Sequence, residues 1–484
     1  MTGLGPASRP PVRPEAREST PYTPAQMANV PRAVILAAGQ GTRMRSARPK
    51  VLHPLAGRPM LLHIVETATA ATGRPPVVVL SPGQPAVREA VEGLAEVVIQ
   101  PEPRGTGDAV RSLPSELRAG GPVVVLYGDL PLLRAETMRS LIRTHAATGA
   151  ACVLLTVVPD RPAGLGRVVR DGSGRVERII EERDLPGGAP VPAECNAGVY
   201  VFSGARLWPA LEGLSTANAQ GEHYLTDVVA ALAPEVEAVL AADPEEGMGV
   251  NDRSQLAAAE SVLRHRLLEA LMIGGVTVED PATTYVDAAV RVGADTLLRP
   301  MTVLRGETVI GRDCEIGPMA QIRDSRIGDG VRIGASVVDG AEIDDGVEIG
   351  HFDRVRPGSL LASGVSLGTH AEVKNSRVGA GSRINHFSCV LDSELGSSVN
   401  IGAGTVTCNY DGDEKHRTEI EDGVFVGSNA TLVAPVRIVR GAYVAAASTI
   451  THDVPPGALA VGRSRQRNIE RWTRRRRGES PPHG

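Results

Sequence analysis

Apolar residues recur every six positions at Ile310, Ile316 and Ile322, at Ile327 and Ile333, and again at Ile420, Val426, Leu432, Ile438, Val444 and Ile450. A period of six fits neither an α-helix nor a long alternating strand. It fits short strands that each turn one branched side chain inward, with a small or left-handed residue next, so that three strands close one triangular coil. At about eighteen residues per coil and ~4.8 Å between stacked strands, the stretch 310–450 predicts a prism roughly 35 to 40 Å tall. Five-residue steps, Ile322 to Ile327 and Val373 to Val378, mark irregular corners. The rhythm breaks between Thr407 and Ile420, where CNYDGDEKHRTE should leave the coil as an external loop able to reach a neighbouring subunit.

The first half follows another grammar. Between 33 and about 242, short β-branched runs (33–36, 77–80, 97–99, 123–127, 153–158) alternate with amphipathic stretches such as 60–71 and 135–147. That alternation predicts a wound, Rossmann-like α/β sheet, whose ligands lie beyond the carboxyl ends of its strands. From 252 to 273 the chain is rich in Ala, Leu, Glu and Arg at helical spacing and stops at Gly274-Gly275, which predicts a long connecting helix. At 484 residues, more than one core is expected.

The formal charge of -5 and scattered basic residues predict no broad field for nucleic acid or anionic lipid. Five cysteines without a CxxC pair suggest neither a disulfide framework nor a zinc site, and fit a reducing cytosol. No apolar run approaches the ~20 residues that span a bilayer. The leader, with seven prolines through Pro31 and no apolar core, reads as disordered rather than secretory. Met27 is a candidate translation start, which the intact mass of native protein would test. The Arg-rich end, Arg474 to Arg477, reads as a solvated tail.

LAAGQGTRMRSARPK follows the run Ala33-Val34-Ile35. Gly39, Gly41 and Thr42 allow consecutive backbone N–H groups to form an anion nest, and Arg43 and Lys50 add charge where a triphosphate and a second phosphate would converge. Asp129, after the strand VVVLYGD, is placed to hold a magnesium ion, or else to cap the next turn; Asn251 in GVNDR supplies a second oxygen.

These motifs, LAAGQGTRM, PKVLH, YGDLPLL and GVNDR, followed by hexapeptide repeats and TVTCNYDG, resemble the bifunctional GlmU family, N-acetylglucosamine-1-phosphate uridyltransferases joined to glucosamine-1-phosphate acetyltransferases. The likeness runs from about 33 to about 469. It implies a leader (1–31), a uridyltransferase domain (32–250), a linker helix (251–275), a left-handed β-helix acetyltransferase domain (276–469) and a basic tail (470–484). It assigns Asp129 and Asn251 to Mg2+, and Arg43 and Lys50 to the triphosphate and the attacking sugar phosphate. Leu36, Ala37 and Gly39 would line the nucleotide, with Gln100, Gly105 and Thr106 reading uracil; a Gln amide donates and accepts at once, matching an imide edge. Gly166, Glu181 and Asn196 would hold N-acetylglucosamine.

In the second domain the resemblance makes His386 the general base that deprotonates the amine of glucosamine 1-phosphate for attack on acetyl-CoA, a task suited to an imidazole. Arg356 and Lys374 would bind the sugar phosphate, with Asn400, Asn409 and Tyr410 completing the sugar pocket; Asn409 and Tyr410 also border the coenzyme. Ala403, Ser428, Ala446 and Arg463 would line the coenzyme A site. Family members are homotrimers with acetyltransferase sites between subunits, and their product feeds bacterial envelope polymers made from the cytoplasm.

There are departures. Cys389 stands where a Tyr that helps hold the sugar phosphate is usual, Leu391 replaces a small residue, Ala447 sits where Gly is common, and Leu165 replaces an aromatic. Two rival readings stay open: a single-function sugar-phosphate nucleotidyltransferase whose prism only assembles it, and a non-catalytic scaffold keeping both folds as binding surfaces.

Overall fold

The computed structural model describes residues 30–39, 41–118, 121–160, 162, 164–185, 191–216, 218–470 and 472–477. The expected leader up to residue 29, and the end of the tail from 478, lie outside the described residues. Two compact units result: residues through His53 together with Pro59–Ala259, and Pro54–Arg58 together with the chain from Glu260 onward. The dividing point falls inside the helix Arg253–Ile273.

Among the described residues, the first unit holds a nine-stranded mixed sheet. In chain order its strands are β1 (Arg32–Leu36), β2 (Val77–Leu80), β3 (Glu96–Ile99), β4 (Pro122–Tyr127), β5 (Cys152–Val157), β6 (Arg167–Arg170), β7 (Val176–Ile180), β8 (Cys195–Ser203) and β9 (Val236–Leu240). Along the sheet they run β9-β5-β8-β4-β1-β2-β3, with β6 pairing β8 and β7 at the side. The parallel core is β4-β1-β2-β3, in which the apolar runs of β4, β1 and β2 are buried on both faces while the edge strand β3 is partly exposed. One apolar layer packs Ile35, Ile64, Leu126 and Leu141 on one face, and a second packs Val34, Val125, Tyr200 and Val228 on the other.

The sheet is less purely wound than its sequence rhythm predicts. β8 runs antiparallel to both β4 and β5, and its register shifts between Asn196 and Tyr200, where Gly198 takes a left-handed φ of 76°. A Cβ at Gly198 would come within 2.5 Å of the Tyr127 ring, so that bulge requires glycine.

The second unit is the left-handed parallel β-helix. Its three faces hold eleven, ten and nine strands, each pairing in parallel with the strand three further along the chain, except that the last pair of the first face is two apart. The first face runs from Thr277–Val278 to Leu459–Ala460, the second from Tyr285–Val286 to Thr449–Ile450, and the third from Arg291–Val292 to Val436–Ile438. One interior column holds the branched residues, among them Ile310, Ile316, Ile322, Val373, Ile401 and Val444. The coils start earlier than the isoleucine rhythm suggests, because the same six-residue step already runs through Val286, Val292, Leu298 and Leu304. Eleven stacked strands on the first face, at ~4.8 Å each, give a prism of roughly 48 Å.

Candidate active sites

The first candidate site is a cavity of about 480 Å³ at the carboxyl ends of β1 and β4. Its floor is Leu36, Ala37 and Gly39, and Arg43 reaches it from the short helical turn Thr42–Met44, which is entered through Gly41 at φ 64°. A Cβ on Gly41 would collide with Lys50 Cβ, so this glycine sets how closely the loop approaches the Lys50 stem. Arg43 projects exposed at the rim.

Lys50, Asp129 and Asn251 meet within the cavity. The Lys50 ammonium donates to Asp129 Oδ2 at 2.5 Å and to Asn251 Oδ1 at 3.1 Å. The backbone brings the two oxygens together: Val250 N donates to Asp129 O at 2.9 Å, and Gln255 Oε1 accepts from Asn251 N at 2.7 Å. Both ends of the ion pair are largely shielded, with side chains 12% and 19% exposed. An oxygen pair that already clasps a cation has the chemistry a divalent ion needs. Among the described residues no group of three or more His, Cys, Asp or Glu forms a metal cluster.

At the other side of the cavity, Gln100 is buried and its amide donates to Gly105 O at 3.3 Å and to Asp108 Oδ2 at 3.1 Å. Gly105 has a φ of 111°, and a Cβ there would lie 2.5 Å from His223 O. The segment around His223 is bound to this loop in three places: Gly107 N to His223 O, His223 N to Arg104 O, and Leu225 N to Thr106 Oγ1. The segment's next residue, Thr226, donates to Glu181 Oε1 at 3.0 Å. Burial raises the Glu181 carboxyl above its ordinary value, while this hydrogen bond opposes the rise. Asn196 donates to the Tyr200 hydroxyl at 2.6 Å and accepts from Gly198 N at 3.0 Å, which fixes its amide at the bulge. Gly166 has room only for hydrogen, because a Cβ would lie 2.9 Å from Ile179 Cγ2.

All thirteen first-domain residues singled out from sequence, other than Gly41 and Thr42, line this one cavity. The reading missed Tyr127, Gln220, Glu222 and Tyr224, which also line it. The run GEHYLTD carries no glycine-lysine spacing or periodicity that would flag them.

In the β-helix the candidates fall on two corners. Between the first and second faces, backbone hydrogen bonds climb coil by coil: Phe387 N to Thr369 O, Gly404 N to His386 O, Asn429 N to Ala403 O, and Ala447 N to Ser428 O. His386, Ala403 and Ser428 thus stack in one column, with Ala446 at the next level. Asn400 opens the two-residue strand Asn400–Ile401 that leads into this corner, and accepts from Asn385 at 3.5 Å. His386 is exposed, as is Arg463.

At the opposite edge of the second face, Arg356 and Lys374 occupy successive coils, and Arg356 pairs with Glu372 at 2.8 Å. Asp392 accepts from Asn375 and Asn409 just above them. Burial alone would raise the Asp392 carboxyl, yet these two donations take it below its ordinary value. The excursion after Asn409 folds back through a bridge between Tyr410 and Lys415. It adds Lys415, His416 and Arg417 to Lys374 around a cavity of about 370 Å³. His386 does not line that cavity.

Residues 33–249 match the family of MobA-like NTP transferase domains. Over its length the chain is 49% identical to the bifunctional protein GlmU of Pelotomaculum thermopropionicum (451 residues; 92% of this chain, 98% of that protein). It is 47% identical to that of Heliobacterium modesticaldum (451 residues; 92% and 98%) and 46% to that of a Geobacillus species, strain WCH70 (447 residues; 92% and 97%). The chain is a member of the bifunctional GlmU family. Both units are therefore family domains, and the departures can be placed within them. Cys389 sits half-buried on the second face, where burial, with Glu372 adding to it, pushes its thiol up and keeps it neutral. Leu391 lies in register with Lys374. Ala447 adopts a left-handed φ of 56°, a physical reason for glycine being common there. Leu165 is part of the first cavity's wall beside Gly166.

Proposed function

We propose that the chain makes UDP-N-acetylglucosamine in two steps: acetyl transfer from acetyl-CoA to glucosamine 1-phosphate, then uridylyl transfer from UTP to N-acetylglucosamine 1-phosphate. The observation that carries the reading is the single cavity in which the glycine loop, Arg43, Lys50, Asp129 and Asn251 face Gln100 and Glu181.

In the first site no side chain acts as nucleophile. The sugar-phosphate oxygen attacks the α-phosphorus in line and pyrophosphate leaves. The glycine loop and Arg43 hold the triphosphate, and Lys50 offsets charge as the two phosphates approach. Gln100, Gly105 and Thr106 read the pyrimidine, and Glu181 and Asn196 hold the sugar. Asp129 and Asn251 would hold Mg2+, which would neutralise phosphate charge.

In the second site His386 accepts a proton from the amine as it attacks the thioester, and coenzyme A thiol departs. Arg356 and Lys374 hold the phosphate, Asn400, Asn409 and Tyr410 the sugar, and Ala403, Ser428, Ala446 and Arg463 the coenzyme. His386 and the Arg356–Lys374 group sit on different corners of one chain, which supports a site completed by neighbouring copies in a homotrimer. No described helix is long and apolar enough to cross a membrane. A cytoplasmic location follows from the substrates.

One incubation of glucosamine 1-phosphate, acetyl-CoA, UTP and magnesium, read by mass spectrometry, tests both steps. The expected product is UDP-N-acetylglucosamine. UTP consumed with N-acetylglucosamine 1-phosphate but no acetylation of glucosamine 1-phosphate would return the prism to a purely assembling role. Failure of both reactions would leave only a scaffold.

A further inference from the structure

We propose that Lys50 is the resident cation of the Asp129–Asn251 seat, and that a divalent ion must displace its ammonium and thereby free it to meet phosphate. The inference rests on the reading of that seat as a cation site.

The geometry is direct. Lys50 Nζ lies 2.5 Å from Asp129 Oδ2 and 3.1 Å from Asn251 Oδ1, so one tethered charge uses both oxygens. A magnesium ion bonds oxygen at about 2.1 Å and cannot share that space with an ammonium. Two cations around one carboxylate also repel. The base of the side chain cannot follow the head, because Lys50 begins a short helical turn after Pro49 and its Cβ is packed against Gly41. The four-carbon stem can swing, and a lysine head is a compact charge that carries over readily from one anion to another. The cavity supplies the second position: Gly39 and Arg43, where phosphate is expected, line the same space as Lys50. Before any ligand arrives, the ammonium offsets the Asp129 charge. Once the divalent ion takes the seat, the same ammonium is delivered to the anion entering beside it. Metal arrival and phosphate clamping are thus coupled through one side chain.

The size of the expected effect separates this role from simple phosphate binding. Without nucleotide, a lysine that only contacts phosphate weakens metal binding merely through the charge it holds at a distance, whereas a resident cation also occupies the oxygens and weakens it further. Titration calorimetry with Mg2+ or Mn2+ in the absence of nucleotide should therefore show Lys50→Gln binding about tenfold more tightly than wild type, with Asp129→Asn abolishing binding in both backgrounds. Equal or weaker binding by Lys50→Gln, with Asp129-dependent binding intact, overturns the displacement. No Asp129-dependent binding in any of these proteins overturns the cation reading itself, and the displacement with it. A second measurement uses wild-type protein. Added Mg2+ alone should increase acylation of Lys50 by an amine-reactive reagent several-fold in peptide mass spectra, and unchanged labelling contradicts the inference.

Discussion

The two units build their candidate sites by opposite means. The sheet unit gathers residues far apart in sequence into one concavity, with Lys50 bonded across 79 residues to Asp129 and across 201 to Asn251. The β-helix instead repeats one corner: each coil adds a residue above the last, so His386, Ala403 and Ser428 form a column open to solvent. A wound sheet makes a pocket within one chain because its strand ends converge on a crevice. A prism has flat faces and ridged corners, and makes a pocket only where something covers them. The contrast explains why one proposed site is complete in a single chain and the other calls for a neighbour.

The sharpest way to break that comparison is to disable one site and watch the other. His386→Ala should cost acetyl transfer ~10² to 10⁴-fold, the range for losing a general base, while uridylyl transfer persists. Separate assays with glucosamine 1-phosphate and with N-acetylglucosamine 1-phosphate check it, and equal loss of both in a folded protein would contradict two independent sites. The mirror experiment is Lys50→Ala or Asp129→Ala. Each should lower uridylyl transfer on the order of 10² to 10³-fold by removing charge stabilisation, with acetyl transfer unchanged.

Much of this architecture was legible in the chain, and the failures have physical causes. β1, β2 and β4 announce themselves as runs of Val, Ile, Leu and Ala because parallel strands are buried on both faces. β8 is equally buried, yet nothing local in CNAGVYVFS says that it pairs antiparallel or bulges at Gly198. The coils before Ile310 escape the isoleucine period, because Val292, Leu298 and Leu304 sustain the step without it, and only the family resemblance carried the β-helix back to 276. In the first site, Gly39, Arg43 and Asp129 sit beside recognisable strands. Tyr127 and Glu222 do not advertise themselves, since their place on the cavity wall depends on the Gly198 bulge and on the hydrogen bonds around His223. The expected contact between Lys50 and phosphate gave no hint that its ammonium rests on Asp129 and Asn251, because that depends on Val250 binding Asp129 O.

A smaller effect distinguishes the two units by pH. Asp353 is 2% exposed in the prism, with one oxygen accepting from Ala371 N and the other without a hydrogen bond among the described residues. Burial pushes its carboxyl up from 3.8 to about 6. The folded protein therefore keeps this proton where the unfolded chain has lost it, so the contribution is fully present below about pH 4 and is lost as pH rises to about 6. Across that window wild type should lose about 3 kcal/mol relative to Asp353→Asn, which keeps the acceptor for Ala371 N and cannot ionise. Thermal melts of both proteins at pH 4 and pH 7 check the sign. The β-helix transition, not that of the sheet unit, should carry the difference.

The smallest effect bears on the ridged corner itself. Along it the residue after each stacked position takes a left-handed φ: Phe352 at 64°, His370 at 60°, Phe387 at 55°, Gly404 at 73°, Asn429 at 58° and Ala447 at 56°. Only glycine adopts that conformation freely; asparagine tolerates it, and alanine pays in contact between Cβ and its own backbone. At Ala447 no polar side chain compensates. Ala447→Gly should therefore stabilise the β-helix by about 1 kcal/mol, or roughly 2 to 4 °C in Tm for a unit of this size, partly offset by the greater freedom of glycine in the unfolded chain. Because Ala446 and Ala447 top the column assigned to coenzyme A, the same change should leave the KM for UTP untouched while shifting that for acetyl-CoA. A Tm that falls would mean that the corner gains more from the alanine methyl than it loses in backbone strain. The left-handed column would then be set by packing between coils rather than by the conformational preference of each residue.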